Sequence, residues 1–89
     1  MAWHINISET AKKQLQKLDR HTAQRLVNYL RERVLLHDNP RIVGAALQGN
    51  RLGELWKYRV GDYRIIVRIK DQELEILVVE VGHRREVYR

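Results

Sequence analysis

Lys57, Arg59 and Arg64 stand in two apolar runs, residues 55–60 and 63–70, that are separated only by Gly61 and Asp62. If both runs are strands, successive side chains alternate between faces, so Trp56, Tyr58 and Val60 share one face while Leu55, Lys57 and Arg59 share the other. The second run sorts the same way: Tyr63, Ile65, Val67 and Ile69 form an apolar face, and Arg64, Ile66, Arg68 and Lys70 a cationic one. A two-residue hairpin turn sets Val60 opposite Tyr63 and Arg59 opposite Arg64, with Lys57 diagonal to Arg64. Like charges directly across a ladder cost roughly 0.2–1 kcal/mol relative to neutral pairs, so this arrangement points to an anionic partner. The plainer alternative is a solvated face on which long side chains fan apart.

A second cluster, Gly82-His83-Arg84-Arg85-Glu86-Val87-Tyr88-Arg89, follows the last apolar run. Lys and Arg beside a terminal Tyr can hold an RNA backbone and stack a base, with Arg68 and Arg85 as further backbone contacts. His83 lies within this cluster and is a candidate acid or base, histidine being the side chain that exchanges protons near neutral pH. His4, His21 and His37 read as surface or packing residues. No HExxH motif or metal-ligand spacing is recognisable, so neither a metal nor another cofactor is expected. Trp56 and Tyr58 read as core aromatics rather than a stacking pair, because they fall on the face opposite Lys57 and Arg59.

Elements on either side must position these runs. Trp3, Ile5 and Ile7 alternate as a short strand. Ser8 then offers an N-cap to a helix beginning at Glu9 and carrying Ala11, Leu15 and Leu18 at helical spacing. After a break at residues 19–21, Ala23, Leu26, Val27, Leu30 and Val34 form a second helical stripe, ended by Asn39-Pro40. This stripe reads as core rather than as a partner groove. Residues 41–53, with Gly44 and Gly49, read as a loop. The third late run, residues 74–81, follows a short turn at Asp71-Gln72-Glu73, and such turns demand antiparallel neighbours. The expected fold is α+β, in the order β-α-α-β-β-β, with a helix hairpin packed on one face of a mostly antiparallel sheet.

The 89 residues (10.7 kDa) suit a single domain, 1–89. Seventeen Lys plus Arg against eleven Asp plus Glu give a net charge of +6, which favours polyanions, with nucleic acid or an acidic protein as the first partners to consider. Cysteine is absent, so disulfides and thiol chemistry are excluded. No stretch approaches the ~20 apolar residues of a membrane span, and the N-terminus carries no cleavage signal, so no membrane association is expected and a cytoplasmic location is.

The segments Leu55-Trp56-Lys57-Tyr58-Arg59-Val60-Gly61-Asp62-Tyr63-Arg64-Ile65-Ile66-Val67 and Val81-Gly82-His83-Arg84-Arg85-Glu86-Val87-Tyr88 resemble the RelE/ParE superfamily of type II toxin–antitoxin toxins, more closely its RelE branch. The likeness spans essentially the whole chain, although the helical half is generic. It implies a ribosome-dependent endoribonuclease that cuts mRNA in the A site, with further contacts to rRNA. It also implies a cognate antitoxin and a toxin–antitoxin hetero-oligomer. The reaction implied is metal-independent attack of the ribose 2′-hydroxyl on the adjacent phosphodiester.

By the same resemblance Lys57 and Arg59 occupy the basic strand positions of the active site, Arg64 the arginine of the next strand, Arg84 the arginine after the glycine, and Tyr88 the C-terminal tyrosine. On this reading Arg64 and Arg59 clamp the phosphate, Arg84 stands near the leaving oxygen, and Tyr88 stacks or orients the substrate. Lys57 is the favoured base, since adjacent guanidinium charges disfavour an ammonium, while Glu54, Glu80 and His83 are less favoured. Some relatives carry Lys where this chain has Arg59, and Arg is a poor base. The alternative is a ParE-like, non-catalytic toxin that inhibits DNA gyrase. Retention of all five residues favours the enzyme.

Overall fold

The computed structural model describes residues 3–36, 38–47 and 55–83. Their order is β1 (His4–Ile7), α1 (Glu9–Lys17), α2 (Arg20–Tyr29) with a π-helical turn at Leu30–Val34, β2 (Ala45–Ala46), β3 (Leu55–Val60), β4 (Tyr63–Lys70) and β5 (Glu75–His83). The five strands form one mixed sheet in the order β1-β5-β4-β3-β2, in which only the β1–β5 pair is parallel. The α+β reading holds. The sequence pattern missed β2, whose two alanines pair with Lys57 and Trp56, because a two-residue strand is too short to show alternation.

Local chemistry explains the helix starts. Ser8 leaves β1 in extended conformation, and its Oγ accepts from the Ala11 amide at 3.1 Å while Glu9 lies in the positive first turn. Asp19 caps α2 in the same way, through the Thr22 amide at 3.2 Å and the Thr22 hydroxyl at 2.5 Å. These hydrogen bonds hold the Asp19 carboxyl below its ordinary value. At the other end of α2, the Leu35 N–H reaches back five residues to Leu30 O at 3.0 Å.

One sheet face is sealed. Ala11, Leu26, Leu30 and Val34 from the helices pack with Tyr58, Val60, Ile65, Val67, Ile69, Ile76, Val78 and Val81 from the strands. α1 lies against β5, and where β1 ends Gln14 takes over: its Oε1 accepts from the Val81 amide at 2.6 Å, satisfying a strand donor that would otherwise be orphaned.

The segment before β2 is held by aromatic tips. Trp3 Nε1 donates to Asp38 O at 2.7 Å, Tyr58 Oη to Pro40 O at 2.6 Å, and Trp56 Nε1 to Val43 O at 2.8 Å. Tyr58 is fully buried, and that burial pushes its phenol far above the ordinary range, with Tyr29 adding to the effect and Arg41 opposing it. Arg41 forks onto Asp71 at 2.8 and 2.9 Å, tying this segment to the β4–β5 turn.

Gly44 adopts φ +85°, and a β-carbon there would meet Lys57 O at 2.4 Å and Trp56 Nε1 at 2.7 Å. Both the left-handed backbone and the close approach to β3 demand glycine. Gly44→Ala is therefore expected to cost about 2 kcal/mol or more, a fall in Tm of roughly 10 °C by calorimetry. Gly61→Ala meets a flexible arginine headgroup at 3.2 Å and should cost less. A G44A melting point equal to wild type would refute the packing described for this segment.

Acid should weaken the second tie. The Arg41 hydrogen bonds hold the Asp71 carboxyl below its ordinary value. A depressed folded-state pKa contributes stability above the unfolded value, about 3.9, and that contribution is lost as pH falls through the folded value. Because the pair is largely exposed, the effect is expected to stay below about 1 kcal/mol. Denaturant titrations at pH 7 and pH 3 should show Asp71→Asn removing that part of the pH dependence.

Candidate nucleic-acid interface

The face of the sheet turned away from the helices carries the cations. Val60 pairs with Tyr63, Arg59 with Arg64 and Lys57 with Ile66, the register expected from a two-residue turn. Gly61 alone in this turn has positive φ, +62°, as the first central residue of a type II′ hairpin does. Lys57, Arg59, Arg64 and Arg68 therefore share the outer face, with Arg59 directly across from Arg64.

β5 completes this surface. Arg64 pairs with Gly82 and Ile66 with Glu80, and a bulge then shifts the register so that Val67 pairs with Val78. Gly82 has no side chain to cover the flank of Arg64. The bulge leaves an exposed carboxylate, Glu80, in the row Lys57-Ile66-Glu80 that crosses three strands. Ile66, although on the outer face and outside the helix-side core, is only 3% exposed.

Charge is unevenly spread along the face. At the end remote from Gly61, Lys70 lies 3.6 Å from Glu75, which also accepts from the Asn6 amide, and Arg41 is spent on Asp71. The Asn6 hydrogen bond, helped by Lys70, holds the Glu75 carboxyl below its ordinary value. Among the described residues, these ion pairs thus lie at the end remote from Gly61, whereas Arg59 stands across from Arg64 at the hairpin end.

The remaining candidates fall elsewhere. His83 pairs with Tyr63, and the two rings meet edge to face at 5.6 Å. Alternation along β5 places it on the side opposite Gly82, so His83 does not share the face of Lys57 and Arg64. Arg84, Arg85 and Tyr88, like Glu54 and His37, lie outside the described residues. His4 and His21 are exposed. Trp56 and Tyr58 pack on the helix side. Among the described residues no group of three or more His, Cys, Asp or Glu is gathered in a metal-binding arrangement.

This geometry can be set beside known proteins. The family described as the ParE toxin of the type II toxin–antitoxin system, parDE, matches residues 5–88. The chain belongs to the RelE/ParE toxin superfamily. Within it, the RelE branch is nearer. A RelE-like toxin protein of Escherichia coli is 33% identical over 84 residues, covering 94% of this chain and 85% of that protein. Toxin RelE of Mycobacterium tuberculosis is 31% identical over 87 residues, covering 98% and 87%. Among solved structures, the toxin–antitoxin complex RelBE2 of M. tuberculosis superposes with a TM-score of 0.81 at 25% identity, covering 94% of this chain and 93% of that one. The isolated E. coli RelE toxin superposes with a TM-score of 0.74 at 27% identity, covering 98% and 92%. The protein is a type II toxin–antitoxin toxin of RelE type.

Arg59 and Arg64 stand directly across the ladder in this RelE-type toxin, a placement of like charges that disfavours a sheet. Arg59→Thr should raise stability to urea by about 0.2–1 kcal/mol. A loss of stability on this substitution would show that the guanidinium groups are not in mutual repulsion.

Proposed function

We propose that the outer face of the sheet is the active site of a ribosome-dependent endoribonuclease, acting as a single toxin domain on mRNA in the A site. The observation that carries this reading is that Lys57, Arg59, Arg64 and Arg68 all fall on the sheet face turned away from the helices, spread along the β3–β4 hairpin with Arg59 directly across from Arg64. Cleavage by the adjacent 2′-hydroxyl needs a proton acceptor at that oxygen, a proton source at the leaving 5′-oxygen, and fixed positive charge for the dianionic phosphorane-like state. Arg64 and Arg59 supply the charge: planar guanidinium groups reach two phosphate oxygens at once. Lys57, diagonal to Arg64, takes the 2′-proton, and the 2′-oxygen then attacks phosphorus as the bond to the 5′-oxygen breaks.

Arg84 and Tyr88 complete the proposal as the proton source or stabiliser at the leaving oxygen and as the stacking residue. Support comes from the path of β5, whose Gly82 lies beside Arg64 immediately before that segment begins. Arg68, and with it Arg85, holds flanking phosphates. The relatives' complexes of toxin with RelB antitoxin support a cognate antitoxin and a hetero-oligomer for this chain also. A cytoplasmic site of action follows from a ribosomal substrate. The ParE-like reading, a gyrase inhibitor without catalysis, has no use for a phosphate clamp on the open face.

Removing one preorganised charge stabiliser typically costs ~2.7–4 kcal/mol of transition-state energy. Arg64→Ala is therefore expected to slow cleavage by roughly two to three orders of magnitude while leaving the circular dichroism melt intact. Primer extension on translating ribosomes gives the readout. Discrete cuts by the wild type that persist at full rate in R64A would overturn the site assignment. Gyrase inhibition without cuts would replace the reading by the ParE-like one.

A further inference from the structure

α2 and its π-helical turn run past the hairpin end of the sheet and leave an open groove there. Arg25 and Arg33 form one wall, and Arg59, Val60 and Gly61 form the other. The Arg25 guanidinium lies over the turn: a β-carbon on Gly61 would stand 3.2 Å from its Nη2 and 3.4 Å from its Nη1. Arg33 is near enough to Tyr29 on the groove floor to act on its phenol electrostatically, opposing the upward push of burial. His21 stands at one end, and Gln24 and Asn28, joined by a 3.0 Å hydrogen bond, present amide groups along the helix wall. Glu32 is the one acidic residue of the lining.

The spacing explains the groove. Positions 21, 25, 28–29 and 32–33 recur by three and four, so one stripe of the helical segment faces the hairpin end while Leu26, Leu30 and Val34 turn to the core. Arg59 belongs both to this groove and to the cationic outer face, so positive charge continues round the rim of the sheet from one to the other.

We infer that this groove is a second binding site for an RNA phosphate backbone, distinct from the outer-face site and contiguous with it through Arg59. Three guanidinium groups match phosphate oxygens, and the Gln24 and Asn28 amides and the Tyr29 ring match sugar and base edges. A protein segment fits less well, because the lining carries three arginines against one carboxylate and its one aliphatic side chain, Val60, is only 6% exposed. The inference rests on the nuclease reading for its physiological context, with binding energy gained here serving to hold the toxin while the outer face reacts.

The test compares full-length wild type with the double variant Arg25→Ala/Arg33→Ala, and with Lys13→Ala/Lys17→Ala on α1 as a charge-matched control. Binding is measured by fluorescence anisotropy over a salt series in two arms: small ribosomal subunits without message, and a short single-stranded RNA. Loss of two phosphate contacts should weaken binding in at least one arm by about tenfold and make its salt slope shallower by roughly 1.4–1.8. Loss confined to the subunits assigns the groove to structured RNA, and loss confined to the short strand assigns it to the message. On programmed ribosomes the double variant should raise KM and leave kcat unchanged, unlike R64A. The proposal is overturned if both arms are unchanged, if the α1 control loses as much, or if the double variant weakens only antitoxin binding. A wild type that binds RNA but makes no cuts sinks the nuclease reading and leaves the groove standing.

Discussion

A pleated strand has two faces, and in β3 and β4 one of them is claimed completely by the helices. Tyr58, Val60, Ile65, Val67 and Ile69 are buried under Leu26, Leu30 and Val34. Every charged residue of the two strands must then go to the other face, and the tight Gly61-Asp62 turn settles which of them meet. Slipping the hairpin by one residue would send Arg59 or Arg64 into the core, at a desolvation cost no local rearrangement could offset. The same burial that stabilises the sheet therefore locks Arg59 against Arg64. A repulsive pair can persist because the register that creates it is held by far larger apolar forces.

The second requirement is a rigid platform under Lys57 and Arg59. β3 lies next to the outermost strand, and β2 covers only Trp56 and Lys57. Such a strand needs other restraints, and the hydrogen bonds from Tyr58 to Pro40 and from Trp56 to Val43 supply them on the helix side. Two aromatic residues thus spend their apolar bodies on the core and their polar tips on the preceding loop. Gly44 permits the loop to come this close, so a residue without a side chain bears on the position of cations one strand away.

Alternation made much of this legible before any coordinates. In β3 and β4 it distinguishes core from cationic face residue by residue, and the two-residue turn specifies the pairing. Ser8 announces its helix by residue type, whereas residues 19–21 read as a break and in fact supply the Asp19 cap and the first turn of α2. Other features leave no local trace. β1 joins β5 in parallel, a pairing between chain segments some seventy positions apart. The bulge that brings Glu80 opposite Ile66 depends on how β5 meets β4, since the run of residues 75–81 is apolar on both faces and does not mark an extra residue. His83 reads as part of a basic cluster in the sequence, yet strand parity turns it toward Tyr63. Arg25 and Arg33 stand outside the apolar stripe of the second helix and draw no reading from the sequence, since their common groove exists only because α2 docks beside the hairpin turn.

That docking has an energetic logic. A small basic domain concentrates self-repulsion wherever cations gather, and here the sheet end away from Gly61 is balanced by Lys70–Glu75 and Arg41–Asp71. The hairpin end gathers Arg25, Arg33 and Arg59 around one groove, whose lining holds a single carboxylate, Glu32. Neutralising this end as well would relieve repulsion among these guanidinium groups. The fold separates the two: paired charges stand where strands need tying, and the arginines of the groove stand together at the hairpin end.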